Sequence, residues 1–162
     1  VSAFARFMGH SSTNSGASSG GQLLLRYPNA VEVGKPFKLQ VLMLVESVNA
    51  HNTRDSAAAI MGSLTGNFGS STERGQMIYL DSGKIGWADD SQSFSTSVKD
   101  NTYHTYVLSV DASNVARVSV DGNPALMRNN FVTNGTIAIG DQTNDSNVDS
   151  ALRIKSVSKL CP

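Results

Sequence analysis

The amino-acid sequence predicts an all-β domain, a two-sheet antiparallel sandwich of jelly-roll type. Three observations carry this. Apolar and polar residues alternate with a period of two in several segments. Turn residues recur about every 8 to 12 residues, the spacing of sandwiches and jelly rolls. The long stretch without Gly or Pro, Phe37 to Met61, has strand periodicity where a long helix would otherwise fit.

Taken in order, a first strand is expected near Ala3 to Met8, because Phe4, Phe7 and Met8 call for a core, and a second near Gln22 to Tyr27. Between them Ser11 to Gly21, SSTNSGASSGG, reads as a long polar loop; as a flexible linker it would make residues 1–21 an arm. Phe37, Leu39, Val41, Met43 and Val45 alternate with a face that is polar at its ends and apolar at Leu42 and Leu44, as in a central strand covered on both sides. Ala57 to Leu64 fits a strand or a short helix. Gln76 to Leu80, the turn Asp81-Ser82-Gly83 and Lys84 to Trp87 make a hairpin. Tyr103 to Val120, YHTYVLSVDASNVARVSV, is the clearest pair: Tyr106, Leu108 and Val110 share one face, Ala116, Val118 and Val120 another, and Asp121-Gly122 turns the chain again. Gly135 to Gly140 and Ala151 to Ser158 supply the last strands.

With 162 residues the chain is expected to form one domain over residues 1–162. Lys plus Arg and Asp plus Glu both number 13, so the net charge is zero, which argues against bulk electrostatic binding to nucleic acid. The longest apolar stretch, Leu39 to Val45, is strand length, so no membrane insertion is expected. The chain begins at Val1 without a leader sequence and is expected to be a mature chain or an excised piece. Its single cysteine, Cys161, excludes an internal disulfide and reads as an intermolecular contact or an incidental terminal thiol.

Two segments resemble a known family. Tyr103 to Gly122 is similar to the late hairpin of concanavalin A-like, laminin-G-type jelly rolls, which ends in Val-Asp-Gly. GTIAIGDQTNDSNVDSALRIKSV resembles the Gly-Asp-rich loop and returning last strand of that fold. A similar ending occurs in lectin-like modules of bacterial sialidases and other secreted carbohydrate-active proteins. The resemblance covers about a third of the chain and implies the fold; the ligand is open, because the fold carries lectins, glycanases, lyases, adhesive domains and spacers alike.

The Glu-x-Asp-x-Glu spacing that aims carboxylates at one face, typical of glycanases of this fold, is missing. Glu32, Glu46 and Glu73 are isolated, and the adjacent Asp89 and Asp90 would face opposite ways on a strand. His10, His51 and His104 have no zinc spacing. No Gly-x-Ser-x-Gly elbow or phosphate loop occurs. For ligand binding, Trp87 is the candidate stacking surface, followed by Asp89, Asp90 and Gln92, with His51, Asn52 and Arg54 in a second polar loop. Asp141, Asn144, Asp145 and Asp149 offer hard oxygens within one loop, either for calcium or as side chains that cap a plain turn.

The expected function is a non-catalytic recognition module that binds a glycan or glycoconjugate on its concave sheet face and rim loops. It would belong to a larger protein that is secreted or displayed on a cell or particle surface. Two alternatives stand beside it: an assembly module of a fibre, coat or adhesin, and a glycan-cleaving enzyme with an unfamiliar site.

Overall fold

The computed structural model describes residues 9–12, 22–145 and 147–162. Its strands are β1 (Gly9–Ser12), β2 (Leu23–Tyr27), β3 (Phe37–Val48), β4 (Ala59–Met61), β5 (Ile78–Asp81), β6 (Lys84–Trp87) and β7 (Ser93–Ser95), followed by β8 (His104–Val110), β9 (Ala116–Val120), β10 (Asn123–Arg128), β11 (Ile137–Asp141) and β12 (Ser150–Leu160). One short helix, α1 (Ser71–Gly75), lies between β4 and β5. The strands form two six-stranded sheets, in the orders β1-β12-β3-β8-β9-β10 and β2-β11-β4-β5-β6-β7. All pairings are antiparallel.

The predicted faces explain the core. Phe37, Leu39, Val41, Met43 and Val45 of β3 are buried beside Tyr106, Leu108 and Val110 of β8 and Ala116, Val118 and Val120 of β9. Ile60, Ile78, Leu80, Ile85, Trp87, Ile137 and Ile139 of the second sheet complete the same cluster. The outer face of β3 is covered less than expected: Leu44 is buried, but Lys38, Gln40 and Leu42 remain partly exposed. The hairpin between β9 and β10 turns on Asp121 (φ 50°) and Gly122 (φ 83°), the left-handed pair that matches strand twist. Between β8 and β9, Asp111 Oδ1 accepts from the amides of Ser113 (2.9 Å) and Val115 (3.0 Å), which closes that link.

The sequence left Ala57 to Leu64 open; it holds a strand, β4. The turn expected at Asp81 begins one residue later, because Asp81 still pairs with Lys84. Ser11 and Ser12 belong to β1, paired with Leu152 and Ala151, so the polar loop does not start where expected. The strand expected at Ala3 to Met8 and the rest of that loop, residues 13–21, lie outside the described residues. Among the described residues no helix is long and apolar enough to cross a membrane.

The two sheets are joined along one edge. Met127 N of β10 donates to Gln92 Oε1 (2.8 Å), and Trp87 Nε1 of β6 donates to Met127 O (3.3 Å). The opposite edge, between β2 and β12, holds an apolar groove of about 280 Å³ whose lining includes Leu25, Tyr27, Val31, Ile139 and Val157.

At the start of β8, His104 bridges two acids: Nδ1 lies 2.6 Å from Asp121 Oδ2 and Nε2 lies 3.0 Å from Asp100 Oδ1. Desolvation pulls the pKa of His104 down, but the two carboxylates outweigh it and hold it above the ordinary value of 6.5. A raised folded pKa means stabilisation that is full below pH 6.5 and is lost as pH rises through the folded value. The stability lost in His104→Gln should therefore be larger at pH 6 than at pH 9, read by urea unfolding at each pH; a difference independent of pH would contradict the ionic bridge.

The strand faces make a second expectation. Val118 is 2% exposed, whereas Arg117 is exposed and pairs with Asp111 (2.7 Å). Val118→Asp should cost several kcal/mol, on the order of 3 to 5, by burying a carboxylate without a partner. Arg117→Ser should cost less than about 1 kcal/mol. Equal losses in chemical denaturation would show that the faces are exchanged.

Candidate functional site

The outer face of the second sheet is covered. Ala59 and Met61 of β4, Met77, Tyr79 of β5, Ala88 and Ala138 of β11 form a second buried cluster with Leu64. The Tyr79 ring lies flat across β6 at Gly86, where a Cβ would stand 2.5 Å from the phenol oxygen. His51 stacks on that ring at 3.6 Å between centroids and 14° between planes. His51 is itself held on both nitrogens, by Asp81 Oδ2 at 2.9 Å and Asp90 Oδ1 at 2.8 Å. His51 and Tyr79 therefore close over the sheet.

The helix α1 helps to seal the same face. Ser70 and Glu73 form a reciprocal capping box, and Glu73 also accepts from Ser63 Oγ (2.7 Å) and from Thr65 N (3.2 Å) and Oγ1 (3.0 Å). Desolvation raises the Glu73 pKa, but the donors from Ser70, Ser63 and Thr65 outweigh it and hold the carboxyl below its ordinary value. This Ser-x-x-Glu cap is legible in the sequence as Ser70-Ser71-Thr72-Glu73, yet the surrounding glycines and serines look like plain loop.

A polar pocket of about 310 Å³ lies at the end of the sandwich where β6 and β10 finish. Its lining comes from four separate segments: Arg54 after β3, Ser71, Thr72, Gly75 and Gln76 around α1, Asp89 after β6, and Arg128, Asn129 and Asn130 at and after the end of β10.

The floor is fully engaged. Arg128 lies over the Trp87 ring at 5.0 Å, donates to Gly75 O (2.9 Å) and Ser91 Oγ (2.9 Å), and forms an ion pair with Asp89. Desolvation raises the Asp89 pKa, but Ser91 and Arg128 outweigh it and keep the carboxylate ionised below its usual range. Gln76 exchanges hydrogen bonds with the Val132 backbone through both ends of its amide. The rim is different. The side chains of Arg54, Ser71, Thr72, Asn129 and Asn130 are exposed, and no hydrogen bond or ion pair engages them among the described residues. A rigid floor under free hydroxyl, amide and guanidinium groups is suited to a hydrogen-bonding ligand.

The expected ligand residues divide. Arg54 and Asp89 meet in this pocket. Trp87 does not serve as an exposed stacking surface: it is 0% exposed, covered by Phe131 (6.3 Å between centroids) and by Arg128. It acts beneath the pocket instead, as the support for Arg128. Gln92 spends its amide oxygen on Met127 in joining the sheets, and Asp90 and His51 bind each other. Asn52 does not line the pocket; its backbone pairs with Asp55. Sequence reasoning missed Arg128, Asn129 and Asn130; the available signal was a polar Arg-Asn-Asn run breaking the alternation of β10 before Phe131.

The loop proposed for calcium is organised by its own backbone. Asp141, 1% exposed, accepts from Thr143 N (3.1 Å), and Asp145 Oδ1 accepts from Asn147 N (3.0 Å) and Nδ2 (3.1 Å). Among the described residues no three His, Cys, Asp or Glu side chains gather as a metal-ligand group, so Asp141, Asp145 and Asp149 do not converge with Asn144 on one cation position. The capped-turn alternative describes this geometry.

No family model and no curated protein matches the chain. Solved structures do. It is similar to a carbohydrate esterase of the Shiga toxin-encoding bacteriophage phi24B, with TM-score 0.57 and 16% identity over 98% of this chain and 88% of that one. It is similar to an alginate lyase of polysaccharide lyase family 7, with TM-score 0.61 and 12% identity over 93% of this chain and 76% of that one. It is also similar to the potassium-bound carbohydrate recognition domain of Emp46p, with TM-score 0.51 and 11% identity over 86% of this chain and 79% of that one. At these identities the likeness is one of fold: the domain is a concanavalin A-like jelly roll.

Thermal melts in millimolar calcium and in chelator should coincide, because Asp141 and Asp145 are turned to local donors. Calcium binding at 100 times its dissociation constant would add about 2.7 kcal/mol. An upward shift of the melt in calcium, removed by Asp145→Asn, would restore the metal site.

Proposed function

We propose that this jelly roll is a non-catalytic carbohydrate-recognition module of a secreted or surface protein, and that the polar pocket beneath Arg54, Thr72, Asn129 and Asn130 is its glycan site. The observation that carries the reading is the contrast within the pocket: every polar group in the floor is engaged, whereas the rim presents hydroxyl, amide and guanidinium groups without partners among the described residues. Sugars are recognised by such fixed, convergent donors and acceptors. The fold is shared with carbohydrate recognition domains and with enzymes, so it supports glycan as the partner class and leaves the activity to the site.

Against glycoside hydrolysis stands the state of the acids. Glycoside hydrolysis needs one carboxyl kept protonated by a raised pKa, with a second carboxylate beside it. Asp89 is the pocket's one carboxylate among its described lining residues, and Arg128 and Ser91 hold it ionised. Glu73, the next acid on α1, is buried under its own donors and likewise lowered.

The test is a panel of neutral and acidic oligosaccharides against the purified domain, followed by calorimetry on the hits. Asn129→Ala and Thr72→Val each remove one rim group and should weaken binding roughly two- to tenfold, the worth of one hydrogen bond. Neither should move the melting temperature appreciably. Binding unaffected by both substitutions would place the site elsewhere, and an empty panel would end the reading.

A further inference from the structure

We infer that the pocket selects glycans that carry an anionic group, and that Arg54 is the residue that reads it. This rests on the pocket being a glycan site and names the class of glycan. Three arginines stand around the pocket: Arg54 and Arg128 in its lining, and Arg74 on the adjoining helix. Two of them are neutralised, Arg128 by Asp89 and Arg74 by Asp55. The other nearby acids are committed as well. Asp90 lies within hydrogen-bond distance of His51 and Thr53, and Glu73 is enclosed by Ser63, Thr65 and Ser70. Among the described residues around the pocket, Arg54 is thus the arginine left without an acid partner.

The backbone aims that charge. Arg54 has φ 67°, a left-handed conformation uncommon for a long side chain. It is held there from both sides: its N–H donates to Ala88 O (2.7 Å), and its carbonyl accepts from Arg74 Nε (2.9 Å). The root of the side chain is therefore fixed by tertiary contacts, while the guanidinium has no partner among the described residues and lines the pocket. A planar guanidinium presents paired N–H donors that match a carboxylate or a sulfate. Asn129, Asn130 and Thr72 beside it can engage the hydroxyls of the same ligand.

Calorimetry with three probe sets tests this: uronic or sialic acid oligosaccharides, sulfated oligosaccharides, and neutral oligosaccharides of matched length. The expected result is tighter binding of at least one acidic set than of the neutral set, weakening as salt is added. Which acidic set prevails identifies the anion. Arg54→Gln should lower affinity for that set at least tenfold, lower neutral binding no more than Asn129→Ala or Thr72→Val does, and leave the melt unchanged; Arg54→Lys, which keeps the charge without the fork, should fall between. Equal affinity for acidic and neutral sets overturns the inference while the glycan site stands, as does an acid preference that survives Arg54→Gln or an equal loss of both sets in that variant. Absence of binding to every set overturns both.

Discussion

The burial of one indole organises both the fold and its candidate site. Trp87 closes the hairpin β5–β6, enters the core between the sheets, and donates its N–H to Met127 on the edge strand of the other sheet. A buried indole must find such a partner, because an unpaired N–H in the core costs about 1 to 3 kcal/mol. Meeting that requirement brings β10 against β6 and β7, where Gln92 adds a second link. The outer surface of the same ring then carries Arg128, and Arg128 gathers Gly75, Asp89 and Ser91. The pocket floor is thus an extension of core packing, with no dedicated loop to support it.

The two ends of the chemistry are kept apart by the same packing. Tyr79 and His51 stack over the second sheet, and the helix cap at Glu73 seals the surface beside them. The outer face of the second sheet is here a small second core, and the polar pocket lies at its rim. Glu73 and Asp89 are each drawn into hydrogen bonds that favour the charged form, whereas the neutral hydrogen-bonding groups of the rim have no partner among the described residues. Rigidity under a polar rim lowers the ordering cost of binding, and this is the physical basis of the recognition reading.

The alternation in Tyr106, Leu108, Val110 and in Ala116, Val118, Val120 was readable directly, because strand geometry sends successive side chains to opposite faces and only one face is buried. The turn at Asp121-Gly122 was readable for a similar local reason: its residues tolerate the left-handed backbone that such hairpins need. Arg54 and Asp89 were recognisable as polar loop residues beside strand ends. Trp87 misled, because the run Asp89, Asp90, Ser91 and Gln92 that follows it looks like a wet loop, while the residue that receives its N–H lies 40 positions further on. The loop Asp141 to Asp149 offered calcium-type oxygens, but the same Asx side chains cap nearby amides, and composition alone does not separate the two.

By itself the sequence determined the all-β class, the strand faces of the sheet that holds β3, β8 and β9, and the hairpin turns, since each follows from local backbone geometry and the period of burial. Only the tertiary structure decided which sheet face is closed, that Trp87 lies inside, and that Arg54, Thr72, Asp89, Arg128 and Asn129 share one pocket. Those outcomes depend on contacts between segments far apart in the chain, and no local periodicity encodes which loops meet when two sheets close on a common core.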